Sequence, residues 1–194
     1  MRYVACLAIL LAACGGEPAP VEAPPIEVLE GEHLWNVDAS ASTLTFRGVQ
    51  EGEAFEGRFE DFDVQVDLDP DELSDAAILV TVDMTSVVTG DRDRDGALPG
   101  KDWFAVGEFP TASFRSDSID RVADTYMAEG FLKMKGVTAP ALIEFTLDVD
   151  GDTAIARGSA RLDRQDWNVG SGAFATDEWI AYPVSVAFTL QASR

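Results

Sequence analysis

The sequence predicts an all-β domain in which antiparallel strands form a barrel or a sandwich. Apolar and polar residues alternate with a period of two in several segments, of which residues 62–69, 78–85 and 141–150 are the clearest. One apolar and one polar face per strand is typical of an antiparallel sheet with a single buried side. Turn formers such as Asp69-Pro70-Asp71 and Asp150-Gly151-Asp152 separate these segments. Evenly spaced short strands in one domain favour a barrel or a sandwich.

The chain begins with a segment that predicts export. Residues 1–13 combine Arg2 with an apolar stretch too short to span a bilayer as a helix, which is the pattern of a signal peptide. The stretch ends in Leu11-Ala12-Ala13-Cys14, the pattern of a lipoprotein box in which Cys14 is diacylated. An ordinary signal peptide with an incidental cysteine is the alternative. Because two acyl chains anchor a protein stably, and Gly15 rather than aspartate follows the cysteine, we expect a bacterial lipoprotein on the periplasmic face of the outer membrane.

Two further segments differ in composition and predict a tether followed by one domain. Residues 14–33 are rich in Pro, Ala and Glu without a periodic apolar face, so we expect an extended linker. Residues 34–194 are long enough to bury one core. Besides Cys14, the chain has only Cys6, inside the signal peptide. The folded domain therefore has no disulfide, and its stability comes from the core.

The predicted strands follow in order along the domain, each with one apolar face. Their apolar sets are Leu44 and Phe46; Phe62, Val64, Val66 and Leu68; Ile78, Val80, Val82 and Met84; Ala141, Ile143, Phe145, Leu147 and Val149; and Val184, Val186, Phe188 and Leu190. The segment from about residue 85 to residue 110 is too long for a hairpin. We expect a short helix in this loop near residues 100–106.

Composition excludes several classes of function. The chain carries 35 Asp and Glu against 14 Lys and Arg, a formal net charge of −21, which excludes sequence-independent binding to nucleic acid. The single histidine, His33, lies at the edge of the tether. No zinc ligand set, nucleophile–base pair, P-loop or dinucleotide motif is present. We therefore expect neither an enzyme nor a catalytic cofactor.

Residues 89–114 support two incompatible interpretations. One is a calcium loop, with carboxylates at positions 1, 3, 5 and 12 of an EF-hand pattern: Asp91, Asp93, Asp95 and Asp102. Against it, the preceding segment predicts a strand rather than a helix, and Pro99 and two arginines lie inside the loop. The other is an ordered connection at the rim of a barrel, leading into a strand at Phe114. The rim is the favoured interpretation, and calcium remains the weaker alternative.

Six groups of short motifs occur in order along residues 34–192. They are Trp35-Asn36-Val37-Asp38 with Ser42-x-Leu44-x-Phe46; Gly57-Arg58-Phe59; Arg94-Asp95-x-x-Leu98 with Asp102-Trp103-Phe104; Phe109-Pro110 with Phe114; Gly130-x-Leu132-x-Met134-Lys135-Gly136; and Arg164-x-Asp166-Trp167. Together they resemble the YceI-like family of periplasmic lipid-binding proteins. Family members often carry histidines after the first strand and within the Arg-Asp-x-x-Leu motif, and this sequence has none at either place.

The resemblance implies an elongated, lipocalin-like antiparallel β-barrel of about eight strands with an apolar tunnel for an isoprenoid or another lipid. Inward aromatic and methionine side chains are the best candidates for ligand contact. The predicted ligand-binding residues are Phe46, Met84, Trp103, Phe104, Phe114, Met134, Phe145 and Trp167. The alternative for each of them is ordinary core packing.

Two classes of function stay open at this point. The first is a lipid-anchored carrier or store for a long apolar ligand, of the polyisoprenoid, isoprenoid quinone or fatty amide type. The second is a structural or interaction module of the envelope whose barrel is filled by its own side chains, with calcium as a stabilising ion in one version. The expected partners are the apolar ligand and the membrane, with a homodimer left open. The acidic composition favours a neutral head group over a pyrophosphate.

Overall fold

The computed structural model describes residues 28–194, so the predicted signal peptide, Cys14 and tether residues 14–27 lie outside the described residues. The described part forms eleven strands and one α-helix. In chain order these are β1 (Leu34–Val37), β2 (Thr43–Gln50), β3 (Glu53–Phe59), β4 (Phe62–Asp69), β5 (Glu72–Asp83), β6 (Val87–Val88), α1 (Arg92–Ala97), β7 (Thr111–Val122), β8 (Thr125–Met134), β9 (Val137–Asp150), β10 (Thr153–Asp163) and β11 (Pro183–Ser193).

Eight of the described strands close into an antiparallel barrel. Backbone hydrogen bonds join them in the order β1-β4-β5-β7-β8-β9-β10-β11, and β11 pairs with β1 to complete the ring. The predicted all-β, eight-stranded antiparallel barrel is therefore confirmed. A short 3-10 turn at Ala39–Ala41 separates β1 from β2, where the Asp38 carboxylate accepts hydrogen bonds from the backbone N–H groups of Ser40 and Ala41. Both β1 and β2 pair with β11 on either side of this turn.

Three further strands extend the wall at one end of the barrel. β2 pairs with β11 and then with β3, and β3 pairs with the two-residue strand β6. The β2–β3 and β8–β9 turns and the connections at residues 89–110 and 164–182 gather at this end. Lys135 in the β8–β9 turn donates hydrogen bonds to the carbonyls of Asp102 (3.2 Å) and Asn168 (2.6 Å). We call this end the loop end.

At the opposite end of the barrel, the far end, Trp35 packs against Leu68 and Arg194. Trp35 is 6% exposed, and its indole N–H donates to the carbonyl of Leu68 at 2.9 Å. The guanidinium of Arg194 lies over the Trp35 ring, 4.1 Å from its centroid. Such a cation–π contact stabilises the ring in this position. Trp35 of β1 and Arg194, which follows β11, therefore pack together at the far end of the barrel.

Strand alternation places the core in two clusters, one toward each end. The far-end cluster consists of Trp35, Leu68, Ile78, Phe114, Ile119, Tyr126, Ala128, Phe145 and Ala154. The loop-end cluster consists of Phe46, Met84, Val87, Leu98, Phe104, Ala112, Trp167 and Val169. Both include residues from the apolar faces that the sequence predicts, because a period of two aims every second side chain at the barrel axis.

The α-helix lies at Arg92–Ala97, so the helix predicted near residues 100–106 is wrong in position. Asp91 caps the helix by accepting hydrogen bonds from the backbone N–H groups of Asp93 and Arg94. Residues 101–104 and 106–108 form turns instead. Ala105 between them has a φ of 50°, a left-handed value that no α-helix can include. No helix in the described part of the chain is long and apolar enough to cross a membrane.

Candidate functional site

An apolar cavity of about 260 Å³ lies inside the barrel and is lined by members of both the far-end and the loop-end clusters. All eight barrel strands and the inner face of β2 and β3 contribute to its lining. Small-molecule sites commonly measure about 300–1,000 Å³, so this one suits a slender ligand. The lining side chains are apolar except for Arg164. We call this cavity the tunnel.

Several inward side chains are only half-buried, and their exposure arises inside the barrel. Val80, Leu132, Ile143, Val186 and Phe188 line the tunnel yet keep an intermediate exposure. A side chain in a close-packed core would have no accessible surface left, because protein interiors pack about as densely as organic crystals. These residues therefore border free space.

Strand β10 provides much of this space, because its inward residues are small. Ala154, Ala156, Gly158 and Ala160 alternate along the strand, and the three alanines line the tunnel. At Gly158 a side chain is excluded, since a Cβ there would lie 2.5 Å from the Phe188 ring. A run of alanine and glycine on an inward face is the sequence signal that sequence analysis missed.

The structure brings all eight predicted ligand-binding residues to the lining of this tunnel. Phe114 and Phe145 belong to the far-end cluster. Phe46, Met84, Phe104 and Trp167 belong to the loop-end cluster, and Trp103 and Met134 pack against it. Contact between any of them and a ligand stays a prediction. Phe114, Phe145 and Trp167 are 4%, 5% and 1% exposed, so packing is a large part of what these three do.

Aromatic side chains and Trp167 in particular shape the loop end of the tunnel. The Trp167 indole N–H donates to the carbonyl of Leu132 at 2.8 Å, which fixes the ring across the barrel wall. Trp103 lies 5.0 Å from Phe174 between ring centroids. Phe59 links Phe46 and Phe104, with centroid distances of 5.5 and 6.2 Å. Phe46, Phe59 and Phe104 therefore form a connected aromatic surface in the loop-end part of the tunnel lining.

Arg164 organises the connection between β10 and β11, and sequence analysis did not assign it this role. It is 4% exposed, and its guanidinium donates hydrogen bonds to five backbone carbonyls, those of Val169, Gly170, Thr176, Ile180 and Ala181. Burial lowers the pKa of Arg164 from its ordinary value, and nearby Tyr182, Asp163 and Asp177 oppose that shift. An arginine whose five donors all meet carbonyls holds its loop in one conformation.

Three of the four aspartates of the calcium alternative, Asp91, Asp95 and Asp102, accept hydrogen bonds from other groups. Asp91 caps α1, and Asp95 accepts hydrogen bonds from the backbone N–H and the hydroxyl of Thr89, both at 2.7 Å. These bonds lower the pKa of Asp95. Asp102 accepts from the Ser171 hydroxyl at 3.1 Å. Within residues 28–194 no group of three or more acidic, histidine or cysteine side chains is arranged to hold a metal ion.

The sequence and the fold are both similar to those of known proteins. A model of the YceI-like domain matches residues 35–192. The UPF0312 protein of Pseudomonas paraeruginosa is 34% identical over 119 residues, which cover 58% of this chain and 62% of that protein. The UPF0312 protein of Photorhabdus laumondii is 30% identical over 95 residues, 49% of this chain and 50% of that protein. The chain thus spans about half the length of the curated relatives it matches.

Two solved structures share the fold. Burkholderia cenocepacia BcnA has a TM-score of 0.78 and 29% identity, and the match covers 81% of this chain and all of that one. A polyisoprenoid binding domain from Saccharophagus degradans, implicated in plant cell wall breakdown, has a TM-score of 0.66 and 16% identity, with 83% and 98% of the two chains covered. The second likeness, at this identity, concerns the fold alone.

Proposed function

The chain belongs to the YceI-like family, and on this premise we propose that it binds one long apolar molecule in its barrel and carries or stores it in the cell envelope. The observation behind the proposal is the tunnel of about 260 Å³ with its apolar lining. Protein interiors contain few voids larger than a water molecule. An apolar void of this size, with aromatic side chains in its loop-end lining, supports ligand binding over a barrel filled by its own side chains.

A slender hydrocarbon is the class of ligand that this lining would take. Burial of apolar surface contributes about 0.8 kcal/mol per CH₂, so one isoprene unit contributes on the order of 3–4 kcal/mol before the costs of binding. A polyisoprenoid, an isoprenoid quinone or a fatty amide would each supply such a chain. The Saccharophagus degradans domain of the same fold is described as polyisoprenoid binding, which supports this class.

The chemistry of the tunnel favours binding over catalysis. Among residues 28–194, its lining contains no carboxylate, histidine, lysine, cysteine or hydroxyl side chain. General acid–base and nucleophilic catalysis need such groups within hydrogen-bonding reach of the reacting atoms. Arg164, the one charged residue in the lining, has its donors committed to backbone carbonyls. We therefore assign the tunnel a carrier role.

The ligand itself can be identified directly. Full-length protein purified from its native membrane would be extracted with organic solvent, and the extract analysed by mass spectrometry. We expect a stoichiometric lipid with a long apolar chain and a neutral head group. A native mass spectrum that shows the bare chain, with no stabilisation by an added quinone or fatty amide, would instead support the structural-module alternative.

Attachment to the membrane is a separate proposal that rests on the sequence. Leu11-Ala12-Ala13-Cys14 supports diacylation of Cys14, and the tether would hold the barrel away from the bilayer. Cells grown with labelled palmitate should label the wild-type chain but not a Cys14→Ser variant. Density-gradient fractionation should place the labelled chain in the outer membrane. Label on the Cys14→Ser variant, or a wild-type chain found only in soluble fractions, would refute the anchor.

A further inference from the structure

The loop end contains a second cavity that shares a wall residue with the tunnel. It is a shallow surface cavity of about 310 Å³, lined by Gln50, Glu51, Glu53, Ala54, Phe55 and Arg94. Phe55 also lines the tunnel, where its ring meets that of Phe46 edge-on at 6.3 Å between centroids. Gly48 opposite Phe55 leaves room for the ring, since a Cβ at Gly48 would lie 2.8 Å from it. One aromatic ring is thus common to the apolar tunnel and a polar surface cavity.

At this place side chains rather than backbone hydrogen bonds complete the wall. β3 pairs with β2 along its whole length, but on its other edge only Arg58 and Phe59 pair with β6. Residues 53–57 thus have no strand partner on that edge within the described part of the chain. The neighbouring contact comes from α1, where the guanidinium of Arg94 lies 4.6 Å from the centroid of the Phe55 ring. We call this junction of residues 53–57 with α1 the seam.

Arg94 is much less completely bonded than Arg164, although only 29% of its side chain is exposed. One of its terminal nitrogens, Nη1, donates to Gln50 Oε1 at 3.0 Å, and Nη2 lies 3.6 Å from Asp91 Oδ2. Its Nε is buried and donates to nothing. A guanidinium offers five N–H donors, and native proteins rarely leave a buried donor unpaired. Nε has no accessible surface, but the terminal nitrogens carry N–H groups beyond those that face Gln50 and Asp91, and these can donate to a ligand oxygen.

We propose that the seam is the head-group subsite for the tunnel's ligand, with Arg94 as donor to an uncharged oxygen acceptor, a carbonyl or a hydroxyl. The inference rests on the proposed function, because the ligand's chain would occupy the tunnel and leave it beside Phe55. Three carboxylates, those of Glu51, Glu53 and Asp91, lie around the single guanidinium. This local excess of negative charge repels a phosphate and leaves a neutral oxygen as the acceptor that the subsite would take.

Three probes that share a twenty-carbon isoprenoid chain test the subsite on the full-length protein. They are geranylgeraniol, geranylgeranyl diphosphate and phytane, a hydrocarbon with no head group. Affinities would be measured for the wild type, Arg94→Met and Arg94→Lys. We expect Arg94→Met to weaken geranylgeraniol about tenfold, as for one lost hydrogen bond to a charged group, and to leave phytane within about twofold. Arg94→Lys should also weaken geranylgeraniol, because an ammonium lacks the planar fork.

Arg92, exposed on the same helix, supplies the matched controls Arg92→Met and Arg92→Lys, which should bind all three probes as the wild type does. If Arg94→Met does not fold, the comparison of Arg94→Lys with Arg92→Lys carries the test. Equal losses for geranylgeraniol and phytane, or no loss for either, would overturn the subsite while leaving the tunnel proposal intact. So would a wild type that prefers the diphosphate. A wild type that binds none of the three probes would overturn the proposed function and the subsite together.

Discussion

Ala160 offers the sharpest test of the tunnel, because it lies between the two core clusters. It pairs with Ile143, which packs against the far-end cluster, and with Val186, which packs against the loop-end cluster. Its side chain lines the tunnel and is half-buried. Ala160→Leu would add three carbon groups at the middle of the free space. The same atoms would fill the tunnel of the empty protein and compete with any ligand for it.

The size of both effects follows from the burial of three carbon groups. At about 0.8 kcal/mol each, the gross gain is about 2.4 kcal/mol, which lost rotamer freedom and imperfect fit reduce to about 1 kcal/mol. For a domain of this size, 1 kcal/mol raises the Tm by about 2–4 °C. A ligand excluded from the space that these three carbon groups take would lose about 2.4 kcal/mol of binding free energy, which corresponds to an affinity about 50-fold lower.

The assay combines thermal unfolding of the lipid-free protein with a binding titration of geranylgeraniol. Ser159→Leu is the matched control, since Ser159 precedes Ala160 on β10 and is exposed on the opposite face. We expect Ala160→Leu to raise the Tm and weaken binding, and the control to do neither. Unchanged binding to Ala160→Leu would show that the ligand lies elsewhere. A marked loss of stability would show that the space beside Ala160 is not free.

Three other predictions follow from the loop end. Arg164→Met should lower the free energy of unfolding, measured in urea, by at least about 3 kcal/mol, because five carbonyls lose a charged donor. The control is Arg161→Met, at an exposed position of β10. Equal destabilisation by both substitutions would contradict this prediction. The hydrogen bonds from Thr89 lower the pKa of Asp95 in the folded protein. The stability that ionised Asp95 contributes is therefore fully present above its pKa in the unfolded chain, and it is lost as the pH falls through its pKa in the folded protein. The Tm difference between wild type and Asp95→Asn should therefore shrink below about pH 4. A difference that stays the same on both sides of pH 4 would contradict this reasoning. Addition of calcium, and its later removal with a chelator, should leave the Tm unchanged. A Tm that rises with calcium and falls again on chelation would support the calcium-loop interpretation.

Local sequence patterns predicted the inward side of β2, β4, β5, β9 and β11, although Val149 at the end of β9 is 42% exposed and does not line the tunnel. In β4, Phe62, Val64, Val66 and Leu68 alternate with polar residues and line the tunnel as their period predicts. The same holds for Ile143, Phe145 and Leu147 in β9. A period of two needs no knowledge of the partner strands, because successive side chains of any strand point to opposite faces.

The helix in residues 89–110 could not be placed from its sequence. Its first residue follows Asp91, and the aspartate spacing that suggested a calcium loop contains the residue that caps α1. Capping and calcium binding both place carboxylates close together in sequence, so spacing alone does not separate them. The left-handed backbone of Ala105, which excludes a helix at residues 100–106, gives no local signal either.

By itself, the sequence determined an antiparallel β domain with an apolar inner face, an acidic exterior and a resemblance to one lipid-binding family. Only the tertiary structure decided that the inner face encloses free space. That outcome depends on the number and stagger of the strands, which set the barrel radius, and on the summed volume of inward residues from all of them. The small residues of β10 lie opposite strands more than 40 positions away in the chain, such as β4 and β5. Tertiary structure likewise brought Arg94 beside Phe55 at an edge of β3 that is only partly paired, because strand pairing, unlike strand alternation, is a property of the closed barrel.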